Sequence, residues 1–265
     1  MESPRQSVRQ EVDESGGGRA TWLGHSTVLL EQSDTKLLTD PVFRDRVLHL
    51  RRHKGIRGVE RPEGVDAVLL SHHHFDHLDR PSLRALDPET LVIGGPGTRG
   101  LLRREGFKRV VDLQPGETVD LERVTVRATP AEHRGARTPL HREGEAVGFM
   151  VEGESNAYFA GDTDLFEGLD EVARGANLAL LPVWGWGTTI GEGHLDPRRA
   201  AEALSLFRPD VAIPIHWGTF APFGFGSRLW RERHVPVREF ERFAEDAAPA
   251  TEVRVLLPGE EAAYP

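Results

Sequence analysis

The run Ser71-His72-His73-His74-Phe75-Asp76-His77-Leu78-Asp79 stands directly behind the apolar stretch Ala67-Val68-Leu69-Leu70. Four aliphatic residues bounded by polar ones read as a buried strand, so the histidines occupy the loop in which that strand ends. A strand that ends in His and Asp presents several ligands at one sheet edge. Neutral imidazole and carboxylate suit Zn²⁺ and similar divalent ions. The order His-x-His-x-Asp-His is more specific than a bare histidine cluster in a chain with twelve histidines. A solvated polyhistidine turn is the competing reading, but it gives no reason for an Asp flanked by His behind a buried strand.

Three more polar residues stand in the same local setting. His133 follows Val124 to Ala128 through Thr129-Pro130-Ala131-Glu132, Asp162 follows Tyr158-Phe159-Ala160-Gly161, and His216 follows Ala212-Ile213-Pro214-Ile215. Each lies just past an apolar run, and ligand sites in open α/β sheets favour such strand ends. Singly, each has a plainer explanation as a surface His or a Gly-Asp-Thr turn. Together they favour a metal centre.

Short β-rich runs fill the first two-thirds of the chain, at Thr27–Glu31, Lys36–Thr39, Ala67–Leu70, Leu91–Ile93, Val124–Arg127, Gly148–Val151 and Ala157–Ala160. Leu178–Leu181 and Val211–Ile215 follow. Several are continuously apolar, as strands covered on both faces are. Helices are expected over Leu165–Arg174, Thr98–Glu105 and the segment from Pro197 to Pro209, with Asp196 as its N-cap. The pattern is a layered α/β protein with two mixed sheets covered by helices. Residues 1–18 are polar and end in glycines, which reads as a disordered leader ahead of one domain over 19–265. Pro41 to Gly64 is the longest irregular segment. Its arginines (44, 46, 51, 52, 57 and 61) suit either a solvated loop or contact with a substrate phosphate or carboxylate.

The ligand order His72, His74, Asp76, His77, His133, Asp162, His216 resembles that of the metallo-β-lactamase superfamily. The blocks Thr21-Trp22-Leu23-Gly24-His25-Ser26-Thr27, Leu38-Thr39-Asp40-Pro41, Pro130-Ala131-Glu132-His133, Phe159-Ala160-Gly161-Asp162-Thr163 and Ile215-His216-Trp217-Gly218-Thr219-Phe220 are similar to one branch of it. That branch contains N-acyl-phosphatidylethanolamine phospholipase D and L-ascorbate-6-phosphate lactonase. The resemblance runs from about Thr21 to just past His216 and implies an αββα sandwich, two mixed β-sheets flanked by helices. It also implies two divalent metal ions, Zn²⁺ first and Mn²⁺ or Fe²⁺ as alternatives. His72, His74 and His133 would hold one ion, Asp76, His77 and His216 the other, and Asp162 both. A hydroxide shared by the ions would then attack a phosphodiester, ester or lactone. His194, in Gly193-His194-Leu195-Asp196-Pro197, matches a block of the phospholipase and would bond the substrate or protonate the leaving group, with Asp76 and Asp162 completing the catalytic set.

Two departures sharpen the reading. The chain has no cysteine, so it carries no thiolate ligand, no cysteine nucleophile and no disulfide. The diiron oxygen-reducing branch usually has Glu where His74 stands, so redox chemistry is disfavoured. Asp40 is expected either to orient a ligand or to serve as a buried turn residue before Pro41, His25 to line the pocket or bond the backbone, and His73 to point away. Trp184, Trp186, Trp217, Phe220, Phe223 and Phe225 could rim a pocket for an apolar group, although core packing accounts for at least half of them.

A net charge of −9 argues against a nucleic-acid partner, which leaves a nuclease of this superfamily as an alternative of lower rank. A non-catalytic metal sensor is another alternative, disfavoured because every expected ligand is present. No apolar run reaches the roughly 20 residues of a membrane span. The expected substrate is a small soluble or lipid-like molecule, and the expected location the cytoplasm.

Overall fold

A computed structural model of the chain describes residues 17–53, 60–133, 145–185, 190–223 and 233–265. Residues 1–16 of the expected leader lie outside these. β1 (Gly18–Gly24), β2 (Thr27–Gln32) and β3 (Thr35–Thr39) form an antiparallel meander. A short hairpin of β4 (Arg46–Val47) and β5 (Leu50–Arg52) follows. β6 (Ala67–Leu70), β7 (Leu91–Gly94) and β8 (Val110–Asp112) then extend the sheet from β3 in parallel.

The second sheet begins with the antiparallel strands β9 (Thr118–Leu121), β10 (Val124–Pro130), β11 (Val147–Glu152) and β12 (Ala157–Phe159). It continues in parallel through β13 (Leu178–Pro182), β14 (Val211–Ile215) and, after the short β15 (Phe220–Pro222), β16 (Glu252–Val253). β17 (Glu261–Tyr264) returns to the first sheet and pairs with β1. The outcome is two seven-stranded mixed sheets, ordered β17-β1-β2-β3-β6-β7-β8 and β16-β14-β13-β12-β11-β10-β9.

Side-chain alternation explains the continuous apolar runs. In β6, Ala67 and Leu69 face the core shared by the two sheets, while Val68 and Leu70 join a second core with Leu83 and Leu102. Those last two belong to α1 (Arg80–Leu83) and α2 (Thr98–Arg103), which cover the outer face of the first sheet. β3 behaves likewise, with Leu37 inward and Leu38 outward. A strand buried on both sides has no polar face, hence no period of two in its hydropathy. The shared core holds Trp22, Leu30, Phe149, Phe159 and Leu180.

Beyond α3 (Leu169–Val172), the longer helices α4 (Pro197–Phe207) and α5 (Val235–Ala247) pack on each other. α4 starts as expected: the Asp196 side chain accepts the Arg199 N–H, and Pro197 occupies the first helical position. α3 is much shorter than the expected Leu165–Arg174, because the chain turns left-handed at Gly168 (φ 91°) and helix follows only from there.

The segment from Pro41 to Gly64, read as irregular, contains the β4–β5 hairpin, and β5 pairs with β15 in a three-stranded sheet. Two of its arginines are structural. Arg44 forks onto the Asp79 carboxylate, the N-cap of α1. Arg52 is buried, donates to the Val42 and Arg44 carbonyls, and lies over the Phe220 ring. Arg57 falls outside the described residues.

Candidate metal centre

Six chain segments leave the carboxyl ends of their strands toward one point. His25 follows β1, Asp40 follows β3, Ser71 to His77 follow β6, His133 follows β10, Asp162 follows β12 and His216 follows β14. Several of these strand ends are sharp turns. His25, Asp40 and His216 have φ of 55°, 30° and 62°. Gly161, at φ 62°, admits Asp162 because any Cβ there would lie 2.6 Å from the Ser71 Cβ.

The ligand atoms gather in four overlapping groups, each within 4.8 Å: His72, His74 and His133; Asp76, His77 and His216, with His25; Asp40 with His72 and His77; and Asp162 with His133 and His194. His72 Nε2 and His133 Nε2 lie 2.9 Å and 3.3 Å from His74 Nδ1, and His77 Nε2 lies 3.1 Å from His216 Nε2. Asp162 Oδ2 is central: 3.2 Å from His77 Nε2, 3.3 Å from His216 Nε2, 3.4 Å from His194 Nε2 and 3.8 Å from His72 Nε2. All seven expected ligands and His194 therefore meet in one place. His73 turns away to Thr98 Oγ1.

The outward nitrogens show which way the lone pairs face. His133 Nδ1 lies 2.9 Å from the Gly193 carbonyl, and His216 Nδ1 lies 2.6 Å from the Trp184 carbonyl. His77 Nδ1 meets Asp40 Oδ2 at 2.7 Å. His72 Nδ1 meets Ser71 Oγ, whose own proton goes to Asp40 Oδ2. Each partner accepts, so each of these Nδ1 atoms donates, and in a neutral ring Nε2 is left with an inward lone pair. Lone pairs converging at about 3 Å repel unless a cation lies among them. Asp162 Oδ1 is buried without a protein partner. The donor set thus fits a hard or borderline divalent cation, with the outer partners that orient such ligands.

The charges agree. Burial, with like charge from neighbouring imidazoles, lowers the pKa of His72 and His74 and brings His133 to about 4, keeping these rings in the neutral form that can ligate. Burial also opposes charge on Asp76 and Asp162, but the surrounding imidazoles outweigh it and hold both carboxyls well below their usual range. For His77, burial is outweighed by Asp162, Asp76 and Asp40, and its pKa is raised. The two buried carboxylates call for positive charge, which a cation would supply better than a proton on His77.

Asp40 does what its position suggested, accepting the Ser71 N–H, the Ser71 hydroxyl and His77 Nδ1–H. The tertiary structure adds the hairpin. A cavity of about 250 Å³ beside the centre is walled by His74, Asp76, Asp162, His194 and His216 of the centre, by Phe75, and by Val47, Leu48, His49 and Leu50 of the hairpin. Of the aromatic residues singled out, Trp217 is stacked on Trp22 in the core and Phe220 is buried under the hairpin. Phe223 is exposed beside Arg46, and Trp186 and Phe225 lie outside the described residues. A larger cleft, of about 850 Å³, opens at the other ends of β1, β3 and β14 and contains none of these histidines.

Two mixed sheets with helices outside and His and Asp gathered at their strand ends define the metallo-β-lactamase fold class. The chain belongs to the beta-lactamase superfamily, whose domain it matches over residues 35–217. It is 33% identical over 261 residues to a metal-dependent hydrolase of Aeropyrum pernix, covering 91% of this chain and 96% of that one. It is 30% identical over 231 residues to an N-acyl-phosphatidylethanolamine-hydrolyzing phospholipase D of Caenorhabditis elegans, covering 77% of this chain and 65% of the worm protein. Among solved structures it is similar to Igni18, a metallo hydrolase from the archaeon Ignicoccus hospitalis. The TM-score is 0.70 at 22% identity over 94% of this chain and 98% of that one, a likeness of fold.

Proposed function

We propose that the protein is a hydrolase using two divalent cations to cleave a phosphodiester, ester or lactone that carries an apolar group. The convergence of six His and Asp ligand groups with Asp162, their lone pairs turned inward, carries this reading. His72, His74 and His133 would hold the first ion and Asp76, His77 and His216 the second, with Asp162 shared. The donor set favours Zn²⁺, with Mn²⁺ or Fe²⁺ compatible. When bound, such a pair supplies Lewis acidity that lowers the pKa of water to roughly 7 and polarises the scissile group.

The chain's own residues do the rest. Asp40, Ser71 and the carbonyls of Trp184 and Gly193 hold the imidazoles in one tautomer. His194 sits at the cavity edge with Nδ1 tied to the carbonyls of Gly191 and Glu192. Burial opposes a proton on its ring, but Asp162 outweighs burial and raises the pKa. A ring that keeps its proton can bond a developing oxyanion or pass that proton to the leaving group.

Val47, Leu48, Leu50 and Phe75 favour an apolar portion of substrate beside the centre. The similarity to a phospholipid hydrolase supports the same class. β17 closes the first sheet beside β1, which suits one catalytic domain over 19–265. Among the described residues no helix is long and apolar enough to cross a membrane, and a cysteine-free chain suits the cytoplasm.

The test is metal content by elemental analysis together with hydrolysis of bis-p-nitrophenyl phosphate and of acyl esters of graded chain length. Two ions per wild-type chain, loss of ions in Asp162→Ala, and turnover abolished by chelation are expected. No stoichiometric metal after reconstitution, or no turnover across the panel with metal bound, would refute the reading.

A further inference from the structure

His25 lies within reach of the second ligand group without being one of the residues assigned to it. It directly follows β1, and its φ of 55° places it in the left-handed region, which is strained for a residue with a Cβ. Its surroundings hold it there. The His25 N–H donates to Thr219 Oγ1 at 2.7 Å, and the His25 carbonyl accepts from Trp22 Nε1 at 2.9 Å and from the His216 N–H at 3.0 Å. Strain kept this firmly at a strand end invites a functional reason.

The ring supplies one. It is 1% exposed, lies 4.1 Å from the His216 ring centroid to centroid, and meets Phe220 edge-on at 5.2 Å. His25 Nε2 lies 3.1 Å from Asp76 Oδ2, while His77 Nε2 and His216 Nε2 each lie 3.9 Å from the same oxygen. The shorter distance is a hydrogen bond, and the two longer ones leave room for an ion. An ionised carboxylate only accepts, so His25 Nε2 carries the hydrogen, and a nitrogen that donates has no lone pair for a cation.

We propose that His25 is a positioning residue for the second cation, its Nε2–H holding the Asp76 carboxylate toward His77 and His216. The inference rests on the two-cation reading above. One residue thereby aligns two ligands of one ion: Asp76 through the ring, and His216 through the backbone carbonyl. The first group, His72, His74 and His133, makes no hydrogen bond to His25 and is left unaffected.

The experiment is equilibrium dialysis of the full-length, metal-free chain against Co²⁺, comparing wild type with His25→Gln and His25→Met. Gln and Met have similar length, but only Gln offers an N–H near the position of Nε2. Wild type should take up two Co²⁺. His25→Met should bind the first with unchanged Kd and the second about 10- to 100-fold more weakly, and His25→Gln should recover most of that loss. His25→Asn, which tolerates the left-handed turn but falls short of Asp76, should repeat the Met result and serves if the Met variant does not fold. An unchanged second Kd, equal weakening of both ions, or a folded Gln variant no better than Met would overturn the assignment while leaving the two-cation reading intact. A wild-type chain that binds only one Co²⁺ would overturn both.

Discussion

The Asp40 carboxylate accepts three hydrogen bonds with no solvent contact, from the N–H and the hydroxyl of Ser71 and from His77 Nδ1–H. Those bonds fix the tautomer of His77 and, through Ser71, that of His72. Asp40→Ala should therefore weaken metal binding about 10- to 100-fold without removing a ligand, as losses of outer partners do. A Co²⁺ titration of the variant checks this. The histidines also set a pH dependence. Burial lowers His25 to about 3 and His133 to about 4, and it lowers His72 and His74 as well; only His77 and His194 in the centre are raised. Between these lowered values and the ordinary 6.5 the unfolded chain binds more protons, so stability rises with pH across that window. The raised pair acts above 6.5, where the folded chain binds the extra protons, and adds no slope below it. The metal-free protein should lose stability as pH falls from about 6.5 toward 4, measured by urea unfolding at a series of pH values.

The β4–β5 hairpin connects a local sequence to the cavity wall. Its base depends on Arg52, buried beneath Phe220 with its guanidinium on two backbone carbonyls. Arg52→Ala leaves those carbonyls without their donor and should cost about 1–3 kcal/mol in thermal or urea unfolding. At the tip, Leu48 is 65% exposed and adopts φ 49° while it also lines the cavity. If the hairpin receives an apolar substrate group, Leu48→Asp should raise KM for a long-chain acyl ester about tenfold and leave a short-chain ester nearly unchanged, since covering a leucine is worth about 1.5–3 kcal/mol. Equal effects on both esters would remove the hairpin from substrate recognition.

Across the whole molecule, the cation centre links the two sheets. His72, His74, Asp76 and His77 come from the first, and His133, Asp162 and His216 from the second. Ions bound there would hold the sandwich together from one edge, and a site assembled from both sheets would favour the folded chain. A cation present at about 100 times its Kd adds about 2.7 kcal/mol to stability. Chelation should then lower Tm by about 5–10 °C for a domain of this size, and the shift should disappear in Asp162→Ala. A melting curve in EDTA, before and after Zn²⁺ is restored, decides it.

The central strands and the α4 cap were legible in the sequence alone, and so were the His and Asp residues that the fold gathers at one place. A strand buried on both faces must be apolar throughout, an Asp-Pro pair before an amphipathic run must start a helix, and cation chemistry needs His and Asp at strand ends. Those signals are local, as with Ala67–Leu70 or Asp196-Pro197. The remainder depends on contacts between residues far apart in the chain. β17 and the hairpin are short, and their stability comes from partners distant in the chain, as Arg52 opposite Phe220 shows. His25 stood open between pocket lining and a backbone bond, because nothing near it in sequence names Asp76 as its partner. The turn at Gly24 and the order of β1 and β6 within the first sheet bring them within 3.1 Å, so its role is a property of packing and not of the residues beside it.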